Sequence, residues 1–90
     1  MPKYKTVSTI VVDCSDWGFG PFEIRVTPCE EETKKHDKPW YEFTLHHPRY
    51  GVVMWLFACG AESEQDAAEL AYYNAPEYIP DYIEEVSIDD

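Results

Sequence analysis

The chain has 90 residues, of which 18 are acidic and seven are Lys or Arg, and its formal net charge is −11. That length suits one small domain over residues 1–90, and a composition that is 44% hydrophobic and 16% aromatic excludes a disordered chain. The negative charge disfavours direct binding to nucleic acid, because phosphates attract cations, and to anionic membrane surfaces.

The first half of the chain predicts three strands. Residues 4–14 are rich in Thr, Val and Ile, which favour strands, but their apolar positions do not alternate cleanly, so a bulge is expected near Thr9. Residues 22–27 and 40–47 alternate apolar and polar side chains, as half-buried strands do. Between these two strands, residues 30–38 carry charges of both signs and are expected to form a mobile loop.

A fourth strand is predicted over residues 52–58, after a hairpin turn at residues 48–51. Its side chains are apolar on both faces. Such a strand usually lies at the centre of its sheet, or has its second face covered by a helix or a partner.

Two helices are predicted after the sheet. Ser63 is a favourable N-cap, and the first helix is expected to end near Asn74 because Pro76 follows. A second, short helix is expected from about Glu77 to Val86, with Pro76 or Pro80 in its first turn. The predicted fold is therefore α+β: a four-stranded, mainly antiparallel sheet followed by one or two C-terminal acidic helices packed on it.

The acidic residues are concentrated at the C-terminal end. From Glu62 to Asp90 there are ten acids and no Lys or Arg, and the last basic residue is Arg49. A segregated negative field attracts a basic partner. Carboxylates three or four residues apart on a helix lie about 5–6 Å apart, comparable with the roughly 3.4 Å step between phosphates of one DNA strand. The residues expected to bind the partner are Glu62, Asp66, Glu69, Tyr73, Glu77, Asp81, Glu84 and Glu85.

These features predict a small acidic inhibitor, and not an enzyme, that occupies the basic surface of a nuclease or nucleic-acid-binding partner. In charge and size the chain is similar to phage-encoded nucleic-acid mimics, including anti-restriction and anti-CRISPR proteins. No cofactor and no metal are expected. We expect a cytoplasmic protein, acting in the host cell if phage-encoded, because no apolar run suits a signal peptide or a membrane span.

A first alternative comes from residues 58–86. A strand ending at Gly60 and the following Ser63-Glu64-Gln65-Asp66-Ala67-Ala68-Glu69 resemble the strand-to-helix part of HicB-type antitoxins, over less than a third of the chain. The resemblance implies an antitoxin that masks a toxin. Pro76, Pro80 and the acidic tail depart from the pattern.

Two further alternatives use other residues. A small metal-binding or enzymatic domain would use Cys14, Cys29, Cys59 and His46, although these residues have neither a metal-ligand spacing nor a catalytic signature. The three cysteines, an odd number, are expected to be reduced thiols. Alternatively, a structural subunit would self-associate through the apolar fourth strand and form a homodimer.

Overall fold

The computed structural model describes residues 9–86, and the beginning of the first predicted strand and the end of the acidic tail lie outside these residues. The strands are β1 (Ile10–Asp13), β2 (Glu23–Pro28), β3 (Trp40–His46) and β4 (Val53–Gly60), and the α-helices are α1 (Glu30–His36) and α2 (Glu64–Val86). The sheet is antiparallel throughout, with the order β1-β2-β3-β4. The predicted α+β fold, with a helix packed on a four-stranded sheet, is confirmed.

One face of the sheet forms the core with α2. Alternation in β2 and β3 places Ile24, Val26, Phe43 and Leu45 on this face, where all four are buried. The helix contributes residues spaced by three or four, as one face of an α-helix requires. These buried residues of α2 are Ala67, Ala71, Ala75, Ile79 and Tyr82. The small alanines allow the helix to pack closely against the sheet.

The sheet has one irregularity, in β4. Phe43 pairs with Phe57 and Thr44 with Trp55, so Leu56 is an extra residue on β4, which is a β-bulge. The prediction of a bulge near Thr9 is wrong for the described part of the strand, because Ile10–Asp13 pair with β2 in regular register.

The predicted break at Pro76 is also wrong, since α2 is a single helix of 23 residues with Pro76 and Pro80 inside it. Pro76 has no N–H to donate to the carbonyl of Tyr72, four residues earlier. The indole Nε1 of Trp17, in the loop after β1, donates to that carbonyl instead, at 2.8 Å. Pro80 lies on the exposed side of the helix, where water can replace the missing donor.

The charged segment between β2 and β3 is the helix α1, so the prediction of a mobile loop there is wrong. Its first turn holds three acids and its last turn two lysines and a histidine, an order that favours the helix dipole. Two contacts tie α1 to β3: Thr33 Oγ1 accepts the N–H of Trp40 at 3.0 Å, and the ring of His36 stacks on Trp40 with centroids 3.8 Å apart.

Of the two alternatives expected for the apolar fourth strand, the central position is not observed, because β4 lies at an edge of the sheet that residues 9–86 form. Its core-facing side packs against α2, where the ring of Phe57 lies 5.6 Å from that of Tyr78. On the opposite face Trp55 is 58% exposed. Within the described residues, no helix is both long and apolar enough to cross a bilayer.

Candidate protein-binding surface

The N-terminus of α2 is fixed by reciprocal hydrogen bonds. Ser63 Oγ accepts the backbone N–H of Asp66 at 3.1 Å, and Asp66 Oδ2 accepts the backbone N–H of Glu62 at 3.1 Å. Asp66 is half-buried and caps the helix, a role that the sequence indicated through the Ser63 spacing. Glu62 is exposed just before the helix.

Because α2 is continuous, the side chains on its solvent side form one line. Residues spaced by three or four lie on the same face of a helix. We name this line the acidic ridge, and it consists of Asp66, Glu69, Tyr73, Glu77, Asp81 and Glu84. From Glu69 to Glu84 the ridge extends about 22 Å along the helix axis, at roughly 1.5 Å per residue. Two separate helices would have divided these acids into two groups.

Six of the eight predicted binding residues therefore lie on the ridge. Glu62 lies beside its first residue. Glu85 is exposed and lies four residues after Asp81, so it borders the end of the ridge beside Glu84. The ridge residues after Asp66 are all exposed.

An aromatic group supports the centre of the ridge. Tyr73 is 67% exposed, and its ring contacts that of Tyr72 edge to face, with centroids 5.2 Å apart. Tyr72 in turn packs against Trp17 at 5.2 Å. Desolvation and the nearby Asp16 raise the pKa of Tyr72, so its hydroxyl stays protonated at neutral pH. The sequence does not indicate that Trp17 belongs to this surface, because only the fold brings the segment after β1 to α2.

Within residues 9–86, the acids of the ridge form no ion pair with a basic side chain. In the described part of the chain the ion pairs join Arg25 to Glu23, and Lys35 and His36 to Glu32, all in the sheet and α1. None of them includes an acid of α2. The negative field of the ridge is consequently not neutralised within residues 9–86.

The residues of the metal or enzyme alternative do not converge. The thiol of Cys14 donates to the Val12 carbonyl, that of Cys29 to the Thr27 carbonyl, and His46 Nε2 lies 2.9 Å from Thr44 Oγ1. All three cysteines are free thiols. Across residues 9–86, no group of three His, Cys, Asp or Glu side chains is arranged to hold a metal ion.

The electrostatic surroundings of these residues are those of partly buried side chains. Desolvation raises the pKa of Cys14 to about 11, and it also raises the pKa of Cys29 and of Cys59. Desolvation and the nearby Arg25 lower the pKa of His46. Thiols with raised pKa values are protonated at neutral pH and are weak nucleophiles.

Comparisons with protein-family models, with curated proteins and with solved structures give no match to this chain. The resemblance of residues 58–86 to HicB-type antitoxins gains no support from them. Inference about function therefore depends on the surface itself.

Proposed function

We propose that the protein is a stoichiometric inhibitor. Its acidic ridge binds the basic surface of a nuclease or another nucleic-acid-binding protein, in place of nucleic acid. The observation that carries the proposal is the single continuous helix, which aligns the acids of both halves of α2 on one exposed line.

The dimensions of the ridge suit a surface that binds phosphates. Carboxylates three or four residues apart on the ridge lie about 5–6 Å apart, and Glu69 and Glu77, on either side of Tyr73, lie about 12 Å apart. The 22 Å or so from Glu69 to Glu84 corresponds to about six phosphate steps along one DNA strand. Arg binds carboxylate and phosphate with the same bidentate geometry. A row of Arg or Lys side chains arranged for a nucleic acid backbone can therefore accept the ridge.

Tyr73 adds an anchor among the charges. Exposed charges mainly steer association and set its salt dependence, whereas aromatic residues near the centre of an interface supply much of the affinity. Tyr73 lies in the middle of the ridge, and its contacts with Tyr72 reduce the freedom it would lose on binding.

Repulsion between the acids of the ridge destabilises the fold. Glu77 and Asp81 are four residues apart, and like charges at this spacing destabilise a helix by about 0.2–0.5 kcal/mol per pair. The exposed acids make no ion pair in the described region that would offset this repulsion. A binding role accounts for charges that do not stabilise the domain.

Two matched variants test the proposal. The first reverses three acids of the ridge, Glu69→Lys, Asp81→Lys and Glu84→Lys; the second reverses three exposed acids elsewhere, Glu30→Lys, Glu31→Lys and Glu42→Lys. Both change the net charge by the same amount. Because Glu30 and Glu31 lie in the first turn of α1, where acids favour the helix dipole, far-UV circular dichroism of both variants checks that each is folded. Tagged wild type and both variants would be used for capture from lysate of the host cell, with elution by increasing salt.

We expect the wild type and the second variant to retain a basic nucleic-acid-binding protein that salt releases, because salt screens exposed charge pairs. The ridge variant should lose it. Equal retention by both variants would exclude the ridge as the binding surface. A retained partner that resists salt would instead indicate an apolar interface.

A further inference from the structure

A second candidate surface lies at the free edge of β4. It is separate from the acidic ridge and has no part in the proposed function. In the described residues, the sheet order leaves the outer side of β4 unpaired. β4 has eight residues, twice the length of the other edge strand, β1. An unpaired edge strand presents a row of N–H and C=O groups that can pair with another strand.

β4 lacks the features that normally protect such an edge. Soluble proteins place charged side chains or proline on exposed edges, or keep them short. Residues 50–61 contain no acid, no Lys, Arg or His, and no proline. The shorter edge strand β1, in contrast, ends at Asp13.

Exposed apolar side chains are concentrated at the same edge. Val53 is 53% exposed and Trp55 is 58% exposed, and Val52 beside them is also exposed. Val53 and Trp55 lie on the sheet face opposite α2, since they pair with His46 and Thr44 of β3. An apolar patch along an unprotected edge is typical of an interface.

We propose that β4 pairs with β4 of a second copy of this chain, antiparallel about a two-fold axis, to form a continuous eight-stranded sheet. Antiparallel pairing of identical strands is self-complementary. Centred on Met54, it places Val53 opposite Trp55 of the second copy on the same face, so the regularly paired segment is Val53–Trp55 and ends before the bulged Leu56.

The charge distribution favours a second copy over a basic partner at this edge. A copy that carries a net charge of −11 is repelled from the acidic surfaces of another copy, and it can approach most easily where residues 50–61 carry no charge. A basic partner gains nothing from a neutral edge and is attracted to the ridge of α2 instead. The two-fold axis is perpendicular to the sheet, so both α2 helices lie on the same face of the dimer.

The first test is the mass in solution of the full chain. We expect sedimentation equilibrium between about 1 and 100 μM, a range that covers weak and moderate dimers, to reach twice the 10.5 kDa of one chain. Raising the salt concentration from about 50 to 500 mM should strengthen the dimer, because salt screens the repulsion between two acidic copies. Salt should weaken binding at the ridge, so the two surfaces are tested separately, and failure of the dimer leaves the proposed function standing.

Matched variants test whether β4, and not the other edge strand β1, forms the dimer interface. Val53→Lys should raise the dissociation constant of the dimer about 100-fold. The two-fold axis places the new charge in the interface twice, and each charge should raise the constant about tenfold. Val11→Lys is the control: Val11 is 56% exposed on the same sheet face, but on the other edge strand. It should change the dimer by less than about threefold. Trp55→Thr, which keeps a strand-forming residue, should also weaken the dimer.

Thermal unfolding of each variant confirms that it is folded before its mass is interpreted. A wild type that stays monomeric at about 100 μM, a dimer that salt weakens, or equal effects of Val53→Lys and Val11→Lys would each overturn the proposal. A monomer whose β4 edge binds a different protein would identify another occupant and overturn it as well.

Discussion

In residues 9–60, which form the sheet and α1, eight acids occur with five Lys and Arg residues; in residues 61–86, which form α2 and its cap, eight acids occur with no Lys or Arg. In the first region Glu23 and Glu32 make ion pairs with neighbouring basic side chains. In the second, no acid of α2 makes an ion pair in the described structure. Charge thus supports local structure in one region, whereas in the other it is available for binding.

The two regions also differ in what their exposed surfaces offer. The outer edge of the sheet is apolar and uncharged at Val53 and Trp55, and the outer side of α2 is acidic from Glu69 to Glu84. Two surfaces with such different chemistry suit different partners, as the two proposals require. A small domain can therefore associate with its own copy through one surface and with a basic protein through the other.

The largest expected effect is the difference in stability lost by substitutions on the buried side and on the exposed side of α2. Ile79→Ala removes a fully buried side chain from the core and should lower the free energy of unfolding by about 2–5 kcal/mol. Glu77→Ala, two residues away on the ridge, should change it by no more than about 0.5 kcal/mol. Urea denaturation of both variants measures the difference. Similar losses in the two variants would mean that the ridge acids stabilise the fold.

A smaller effect concerns how α2 is joined to the loop after β1. Trp17→Phe removes the donor to the Tyr72 carbonyl and should cost about 0.5–1.5 kcal/mol, the usual net contribution of one hydrogen bond that water can partly replace. In a Pro76→Ala background the N–H of residue 76 can bond to the same carbonyl, so Trp17→Phe should cost less. A double-mutant cycle measures this coupling. Independent effects of the two substitutions would show that Trp17 does not compensate for Pro76.

The smallest expected effect is a loss of stability caused by the Cys14 thiol, which is absent at neutral pH and appears at alkaline pH. The pKa of Cys14 rises from 9.0 to about 11 on folding, through desolvation. Between these values the unfolded chain loses a proton that the folded chain keeps, so the free energy of unfolding falls as pH rises above about 9. Cys14→Ala should make this decline shallower, as measured by denaturation at pH 7 to 10.5 or so. Parallel curves for the wild type and the variant would contradict the raised pKa.

The sequence predicts the fold class because alternation in β2 and β3 indicates which face is buried, and Ser63 marks the start of α2. It does not predict the continuity of α2, since the group that replaces the missing donor of Pro76 is Trp17, 55 positions before the Tyr72 carbonyl to which it donates. The edge position of β4 is missed for a related reason. Apolar residues on both faces show that a strand can be covered, but they do not show what covers it.

The sequence predicts which residues form the candidate surface, but it does not predict how they are aligned. The acids and Tyr73 are visible as an imbalance in composition, and their spacing by three and four indicates one helix face. Their alignment over about 22 Å follows only when α2 is a single helix, and the support of Tyr73 by Tyr72 and Trp17 depends on contacts between distant segments.

The most direct measurement is competition between this protein and nucleic acid for the captured partner. Labelled DNA or RNA that the partner binds is titrated with the wild type and with the Glu69→Lys, Asp81→Lys, Glu84→Lys variant. We predict that the wild type displaces the nucleic acid at one protein per site, with an affinity that falls as salt rises, and that the variant does not. A complex in which partner, nucleic acid and wild-type protein are bound together would contradict binding in place of nucleic acid.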